Sequence, residues 1–442
     1  MCATRLIGVD NTSMNPPKVA DRQATFRDVF AVAEFRVIFA SYGIFMIGET
    51  VKMLALSVLV YERTGSGLLA ALAYVTGFLP HALGGLFLLA LADRWPARTL
   101  IVGYDLVRLA VVVVLATGVL SPSAVLGLVA VVALFGPVSS ASRTALLPEM
   151  LHGDTYVLGR SLLTVAAGGT QVAGFAVGGL LLSLVGPYGA LWLTAATCGL
   201  SALLVRFGLT HRPARAGRAG SGPRVGAFRE TLRVNRHLLA DRRIRGLLFA
   251  QWLPGSLLVG AEGVAVPYAA DLGPGANAGV LLMAGAGGML VGDLLVGRFV
   301  APARRERLTP WLALLLGVPM LAFLARPELL PAAALFAVAT AGFAYQLGLA
   351  RRFLDAVPEA RRGQAFGLVS TGMMAAQGLA AAGAGALSEV LTPGVVMAGA
   401  GAASIVATLI LWPVLTPGSR RPPVLPVDPA PAAPAPTVSA DR

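Results

Sequence analysis

Long apolar stretches alternate with short polar or Gly/Pro breaks along most of this chain. A helix needs roughly 20 mostly apolar residues to cross the hydrocarbon core of a bilayer. Twelve stretches meet that need, at about 37–60, 67–91, 98–119, 122–143, 161–185, 188–209, 246–268, 276–299, 308–325, 329–350, 364–388 and 393–416. The shortest breaks, Gly186-Pro187 and Thr392-Pro393, are turn punctuation of the kind that joins antiparallel helices. Pro310, Pro319 and Pro331 interrupt the ninth and tenth stretches. The pattern predicts an all-α integral membrane protein. Residues 1–33 form a cytoplasmic N-terminal segment that lacks the apolar region and cleavage site of a signal peptide, so the first span starts insertion itself. Residues 418–442, rich in Pro and Ala, read as a disordered tail.

Composition narrows the class. Apolar residues make up 56 % of the chain and charged residues 13 %, against about 45–50 % and 25 % in soluble proteins. A soluble multidomain protein is excluded on that ground. The net charge of +13 invites a nucleic-acid reading, but the arginines are spread along one set of connections. With both termini inside, the inward links carry Arg94, Arg98, Arg143, Arg160, Arg298, Arg304, Arg305, Arg307, Arg351, Arg352, Arg361 and Arg362, and the central loop adds ten more from Arg212 to Arg245. The outward links carry Arg63 and Arg326. This is the positive-inside bias of a plasma (inner) membrane protein with cytoplasmic termini. The basic stretch 210–245 fits contact with anionic headgroups of the lipid bilayer, and no nucleic-acid partner is expected. Cys2 and Cys198 support neither a disulfide framework nor a zinc site, and no phosphate-binding Gly-Lys loop or hydrolase motif occurs. The chain is not expected to be an enzyme or to hold a cofactor or metal.

The two halves repeat each other. Gln171 and Pro187 recur as Gln377 and Pro393, Leu147-Pro148-Glu149 as Val357-Pro358-Glu359, and Asp93-Arg94-Trp95 as Gly297-Arg298-Phe299, at offsets of 204 to 210 residues. Each half is then one six-helix unit, and an even helix count makes the repeats parallel. The expected bundles are 34–209 and 246–417, joined by the linker 210–245.

Several fragments resemble one known family. Gly85 through Arg98, with Asp93, Arg94 and Arg98 in place, is similar to the loop 2–3 signature of the major facilitator superfamily, with Leu89 and Pro96 where that pattern has Gly. Gly174-Phe175-Ala176-Val177-Gly178-Gly179 resembles its span 5 antiporter motif, with Phe175 in place of Pro. Asp105-Leu106-Val107-Arg108, Leu147-Pro148-Glu149 and Arg362-Gly363-Gln364-Ala365-Phe366-Gly367 look like the branch of macrolide and siderophore exporters. The resemblance implies twelve transmembrane helices in two pseudo-symmetric six-helix bundles, with spans 1 and 7 lining a central cavity. It also implies that Asp93, Arg94, Arg98, Asp105 and Arg108, with Asp293 and Arg298 in the second half, form a cytoplasmic gate that latches the halves.

Ionisable residues inside spans cost roughly 2.5–3.5 kcal/mol each on insertion scales, so the few present are informative. Glu49 and Lys52 share a face of span 1 and can pair. Glu262 in span 7 has no basic neighbour in its own span and is the leading candidate for proton coupling or cation recognition. Gln171, Gln251, Gln377 and Tyr268 are further cavity candidates, able instead to bond between helices. Gly174 and Gly178, like Gly288 and Gly292, stand four apart, a spacing that lets helix backbones approach closely, and with the fold the resemblance implies they would let the two halves slide and rock at spans 5 and 8. The expected function is proton-coupled export of a small, partly hydrophobic compound by a monomeric secondary carrier. Uptake by symport and a non-transporting scaffold or sensor on a carrier fold are the alternatives.

Overall fold

The computed structural model describes residues 25–88, 95–213, 227–273, 275–358 and 361–416. Residues 1–24, Asp93, Arg94 and the tail 418–442 therefore lie outside the described residues. The described part is helical with no strand. Eleven helical stretches are long and apolar enough to cross a membrane. One of them, Asp154–Gly208, has 55 residues, about 80 Å of helix against a hydrocarbon core of about 30 Å. Its backbone turns at Gly186, with φ of 68°, immediately before Pro187. It is thus a hairpin of spans 5 and 6, and the twelve expected spans are present.

Local chemistry sets the ends. Gly65, with φ of 63°, closes span 1 (Ala33–Thr64), a left-handed position that glycine takes without strain. Side chains of Ser66, Ser121, Asp241 and Asn277 accept backbone N–H groups at the starts of spans 2, 4, 7 and 8, satisfying donors a helix start leaves open. Span 3 is Ala97–Ala116, and span 8 is Ala278–Phe299. Spans 2, 4, 7, 9 and 10 are each broken part-way, as at Val75–Phe78 and Gly263–Ala265. Span 11 (Arg362–Leu387) and span 12 (Pro393–Ile410) are unbroken. The linker contributes a helix, Ala227–Ala240, whose Val234 and Leu238 are buried in the second half's core.

The first half has cores of its own, and the core of the second half extends to Leu54, Tyr74, Val75 and Phe175 of the first. Val51, Leu59, Val112, Leu115 and Leu191 pack together in the first, and Leu248, Leu281, Leu316, Phe336 and Met397 in the second. Apolar side chains such as Leu184, Leu203, Phe207, Leu330 and Ile410 are exposed on the outside, the surface that a bilayer covers. The paired glycines act inside these cores, not between them. A Cβ on Gly174 would fall 2.7 Å from Thr50 Cβ, and one on Gly178 would lie 3.5 Å from the Val51 backbone, both on span 1. Gly288 and Gly292 lie against the backbone of Ala337 and Ala341 on span 10. The expected sliding seam between halves is therefore corrected. These residues let neighbouring helices of one bundle approach.

Candidate functional site

A charged network fills the middle of the first bundle. Glu49 lies midway along span 1, about 24 Å from its start. Lys52 Nζ donates to its Oε1 at 2.6 Å, as the spacing of the two residues leads one to expect. Arg108 of span 3 donates to its other oxygen, also at 2.6 Å. One turn earlier, Asp105 Oδ2 accepts from Ser201 Oγ at 2.6 Å and from Arg143 at 3.1 Å. Arg143 also donates to Ser41 Oγ at 3.0 Å. The Arg108 guanidinium sits 4.2 Å from the Phe45 ring centre, an arrangement that favours a cation on an aromatic face. Five charged side chains from spans 1, 3 and 4, three cations and two carboxylates, are thus linked. Asp105 is fully buried and Arg108 only 2 % exposed, while Glu49 keeps 32 % of its side chain open. Glu49 is the most exposed member of the network, and Lys52 beside it is nearly buried.

This placement corrects the gate assignment of Asp105 and Arg108. Both lie well inside span 3, which begins at Ala97, and every partner named above belongs to the same bundle. In the form described they brace that bundle from within, and the partners that hold them all lie in it.

In the second bundle, Glu262 is near the end of the first segment of span 7. Tyr74 of span 2 donates its hydroxyl to Glu262 Oε2 at 3.1 Å. The bond crosses from one half to the other. Glu262 forms no ion pair among the described residues, so no cation there offsets desolvation of a charged carboxylate and the Tyr74 hydroxyl does so only in part. Gln171 and Gln377 are half-buried, in repeat-equivalent spans 5 and 11. The other two cavity candidates are corrected. Tyr268 is buried and donates to the Pro327 carbonyl at 2.7 Å. Gln251 is buried and bonds its own helix at Leu247 O, while its backbone carbonyl accepts from Tyr345. Both serve packing within the second bundle.

The halves meet at the end that carries the turns near residues 65, 186, 275 and 390. Glu389 accepts from Ser66 Oγ at 2.8 Å and from the Leu68 N–H at 2.9 Å. Asn277 donates to the Gly179 carbonyl at 2.6 Å, and a Cβ on Gly179 would stand only 3.1 Å from Gly279 Cα. Of the three span 5 motif glycines, Gly179 is the one at the boundary between halves. At the opposite end Arg98, Asp293 and Arg298 make no ion pair among the described residues. There Arg212 joins Glu34 at 2.5 Å and Glu149 at 3.4 Å, tying the start of the linker to spans 1 and 4.

Glu389 gives a pH prediction. The Leu68 N–H and then the Ser66 hydroxyl hold its carboxyl below the usual carboxylate range. Its contribution to the closed end is complete above the ordinary value and is lost as pH falls through the lowered one. Spin labels at Thr64→Cys and Leu391→Cys should report a closed population that shrinks on acidification. Glu389→Gln should be less closed at neutral pH and respond less to acid. An identical pH response in both proteins would remove Glu389 from the clasp.

Arg143, Ser201, Phe45 and Glu389 are not among the sequence candidates. The sequence groups Arg143 with the inward links, and only the apolar run from Val129 that leads into it hints at burial. Among the described residues, no His, Cys, Asp and Glu side chains cluster as metal ligands.

The arrangement matches known transporters. The family described as Major Facilitator Superfamily matches residues 38–351. No curated protein matches the sequence. A mutant of the nucleoside transporter NupG superimposes with a TM-score of 0.65 at 14 % identity, covering 86 % of this chain and 99 % of that one. The POT family transporter PepTSo does so at 0.67 and 11 %, with 87 % and 97 % covered. The xylose transporter XylE from E. coli, in its inward open conformation, gives 0.59 and 16 %, with 87 % and 95 % covered. Identities this low speak for the fold alone, but the family match runs from span 1 through span 10 and so covers well over half of the chain. The chain belongs to the Major Facilitator Superfamily and is a multi-pass membrane transporter, not an enzyme.

Proposed function

We propose that this transporter exports small, partly hydrophobic organic compounds in exchange for protons. It would work as a monomer in the inner (plasma) membrane with both termini cytoplasmic. The observation that carries the reading is the Tyr74–Glu262 bond between the halves. A carboxylate at the boundary between two moving bodies changes its bonding when it gains a proton. Ionised, it accepts from Tyr74; neutral, it can also donate. Its protonation state therefore biases the equilibrium between the two ways the halves can rock. The bundles 34–209 and 246–417 are the rocking bodies, and the linker 210–245 tethers them on the cytoplasmic side.

The arginine asymmetry supports this orientation. The clasped end is then the outer one, and the form described is inward-facing. Asp93, Arg94 and Arg98 would meet the second half, near Asp293 and Arg298, when the carrier turns outward. Glu49 and Lys52 supply the polar edge of the cavity, with Gln171 and Gln377 as amide contacts for the substrate. Few charges line that space, which suits a drug, antibiotic or lipophilic metabolite.

The test is accumulation of dyes and antibiotics in efflux-deficient cells that express the protein, with and without a protonophore. Lower accumulation that the protonophore abolishes is the expected result. Higher accumulation that collapses with the protonophore would replace export by symport. No change across a broad panel of compounds would reject transport of this substrate class and return the scaffold reading.

A further inference from the structure

Span 3 carries two faces. Ile101, Asp105, Arg108, Val112 and Leu115 are buried toward the bundle core. Leu106, Val107 and Val114 are exposed on the opposite side, and two hollows flank that outer face. The first, of about 450 Å³, lies between spans 3 and 4 and is walled by Leu100, Tyr104, Val107, Val132, Phe135 and Val138. Its lining is mostly apolar, with polar atoms only on Trp95, Thr99, Tyr104 and Ser139 among its side chains. Ser139 is 2 % exposed, and its Oγ has no hydrogen-bond partner. The second hollow, of about 570 Å³, lies where span 3 begins and span 6 ends, and presents Arg98, Arg206 and His211. Neither Arg98 nor Arg206 pairs with a carboxylate among the described residues.

The hollows share Thr99 and Gly103. A Cβ on Gly103 would meet nothing within 4 Å, so the missing side chain leaves an open saddle between them. A cationic pocket at a helix start, joined over a glycine saddle to an apolar trench, complements an amphiphile with an anionic head. The first turn of span 3 adds the positive end of its helix dipole to the same pocket. Val107 on the trench wall is exposed, as bilayer-facing apolar side chains are, and Arg98 is the second residue of span 3, at the helix end where a basic side chain reaches lipid headgroups.

We propose that this is a binding site for one anionic phospholipid. Its phosphate rests against Arg98, Arg206 and His211, and one acyl chain passes over Gly103 into the trench between spans 3 and 4. The occupant pins span 3 against span 4 from outside, opposite the contact that Asp105 and Arg143 make from within. A lipid of the surrounding membrane thereby acts on the helix that holds two of the five charged side chains in the buried network. The site is separate from the transport cavity and does not depend on the direction or coupling of transport.

The test is native mass spectrometry of the purified, delipidated protein titrated with phosphatidylglycerol or with phosphatidylcholine of the same chains. One phosphatidylglycerol is expected to bind about ten-fold or more tightly than phosphatidylcholine. A charge near a lipid surface is worth about a five-fold change, so Arg98→Gln with Arg206→Gln should bring the two lipids to equal affinity. Gly103→Leu puts a side chain in the saddle, where a Cβ meets nothing within 4 Å, and should lower phosphatidylglycerol binding while the melting temperature is kept. Millimolar inorganic phosphate should not displace the lipid. Equal affinity for both lipids in the wild type, or unchanged preference in the arginine variant, would overturn the proposal. Full displacement by inorganic phosphate would also overturn it, leaving a free-anion pocket. Should Gly103→Leu fail to fold, the arginine variant and the phosphate competition decide alone.

Discussion

Replacing Asp105 by alanine is expected to destabilise the first bundle by roughly 3–5 kcal/mol, the cost of removing one partner from a buried ion pair. Asp105 Oδ2 is the shared acceptor for Arg143 and Ser201. Without it, Arg143 keeps Ser41 as its nearest polar partner and stays buried with an unbalanced charge. Arg108 keeps Glu49 but loses its second carboxylate, 3.9 Å away. The melting temperature should fall by about 10 °C or more for a unit of this size. Cys198 is a free thiol on span 6, 1 % exposed in the same bundle. Its reaction with a maleimide dye on heating, in a Cys2→Ser background, reports opening of the bundle. A compensating pair, Asp105→Leu with Arg143→Met, should recover most of the loss, because apolar replacement of a whole buried pair is often neutral. A single substitution that leaves the labelling midpoint within about 2 °C of the wild type, well under the shift expected for such a loss, would show that the network does not hold the bundle together.

The spans are legible because hydropathy and turn residues set them directly. Even the hairpin at Gly186-Pro187, which runs on as one helix apart from that residue, stands out in the sequence. Hydropathy reads the ends at the linker side short. Span 1 begins at Ala33 against an expected 37, span 4 ends at Met150 against 143, and span 5 begins at Asp154 against 161. Those turns carry Glu34, Glu149 and Arg160, so a hydropathy reading stops before the helix does. Helices that protrude past the hydrocarbon are stabilised by packing and ion pairs, not by apolar periodicity.

The chemistry divides along another line. Glu49 with Lys52 can be read from spacing, since both sit on one helix face. The contact of Glu49 with Arg108 spans 59 residues, and that of Asp105 with Arg143 spans 38. Such pairings depend on how helices are arranged around one another, which no local pattern encodes. Motif resemblance draws Asp105 and Arg108 to the rim, although a position two to three turns past Ala97 implies about 12–17 Å of depth. Depth counted along the helix is the better guide. The same count separates Glu262 from Glu49. Glu262 stands ten residues, about 15 Å, before Leu272, where span 7 ends, and its bond to Tyr74 of span 2 puts it at the boundary with the first half.

That position makes Glu262→Gln the substitution with the largest expected effect on transport. Glutamine keeps the shape and an acceptor oxygen for the Tyr74 hydroxyl, so the closed end is preserved. What it removes is the proton-binding site. Cells with this variant should accumulate substrate as cells without the carrier do, and a protonophore should change nothing further. Proteoliposomes should still exchange labelled for unlabelled substrate, because exchange without a gradient needs no net proton movement. Tyr74→Phe acts on the other half of the same contact. It leaves the carboxylate in place but removes a hydrogen bond to a group that can carry charge, worth roughly 1.5–3 kcal/mol. The equilibrium between the two forms should then shift by roughly ten- to hundred-fold toward opening at the 65–390 end. Coupling should survive in Tyr74→Phe with an altered pH profile, whereas it is lost in Glu262→Gln. In the double variant, the tyrosine change should shift the equilibrium by less than it does alone, since the bond it removes there runs to a neutral amide. If Glu262→Gln exports against a gradient as the wild type does, the coupling carboxylate is elsewhere. Glu49, held by Lys52 and Arg108 but the most exposed member of its network, is then the residue whose Gln variant must fail.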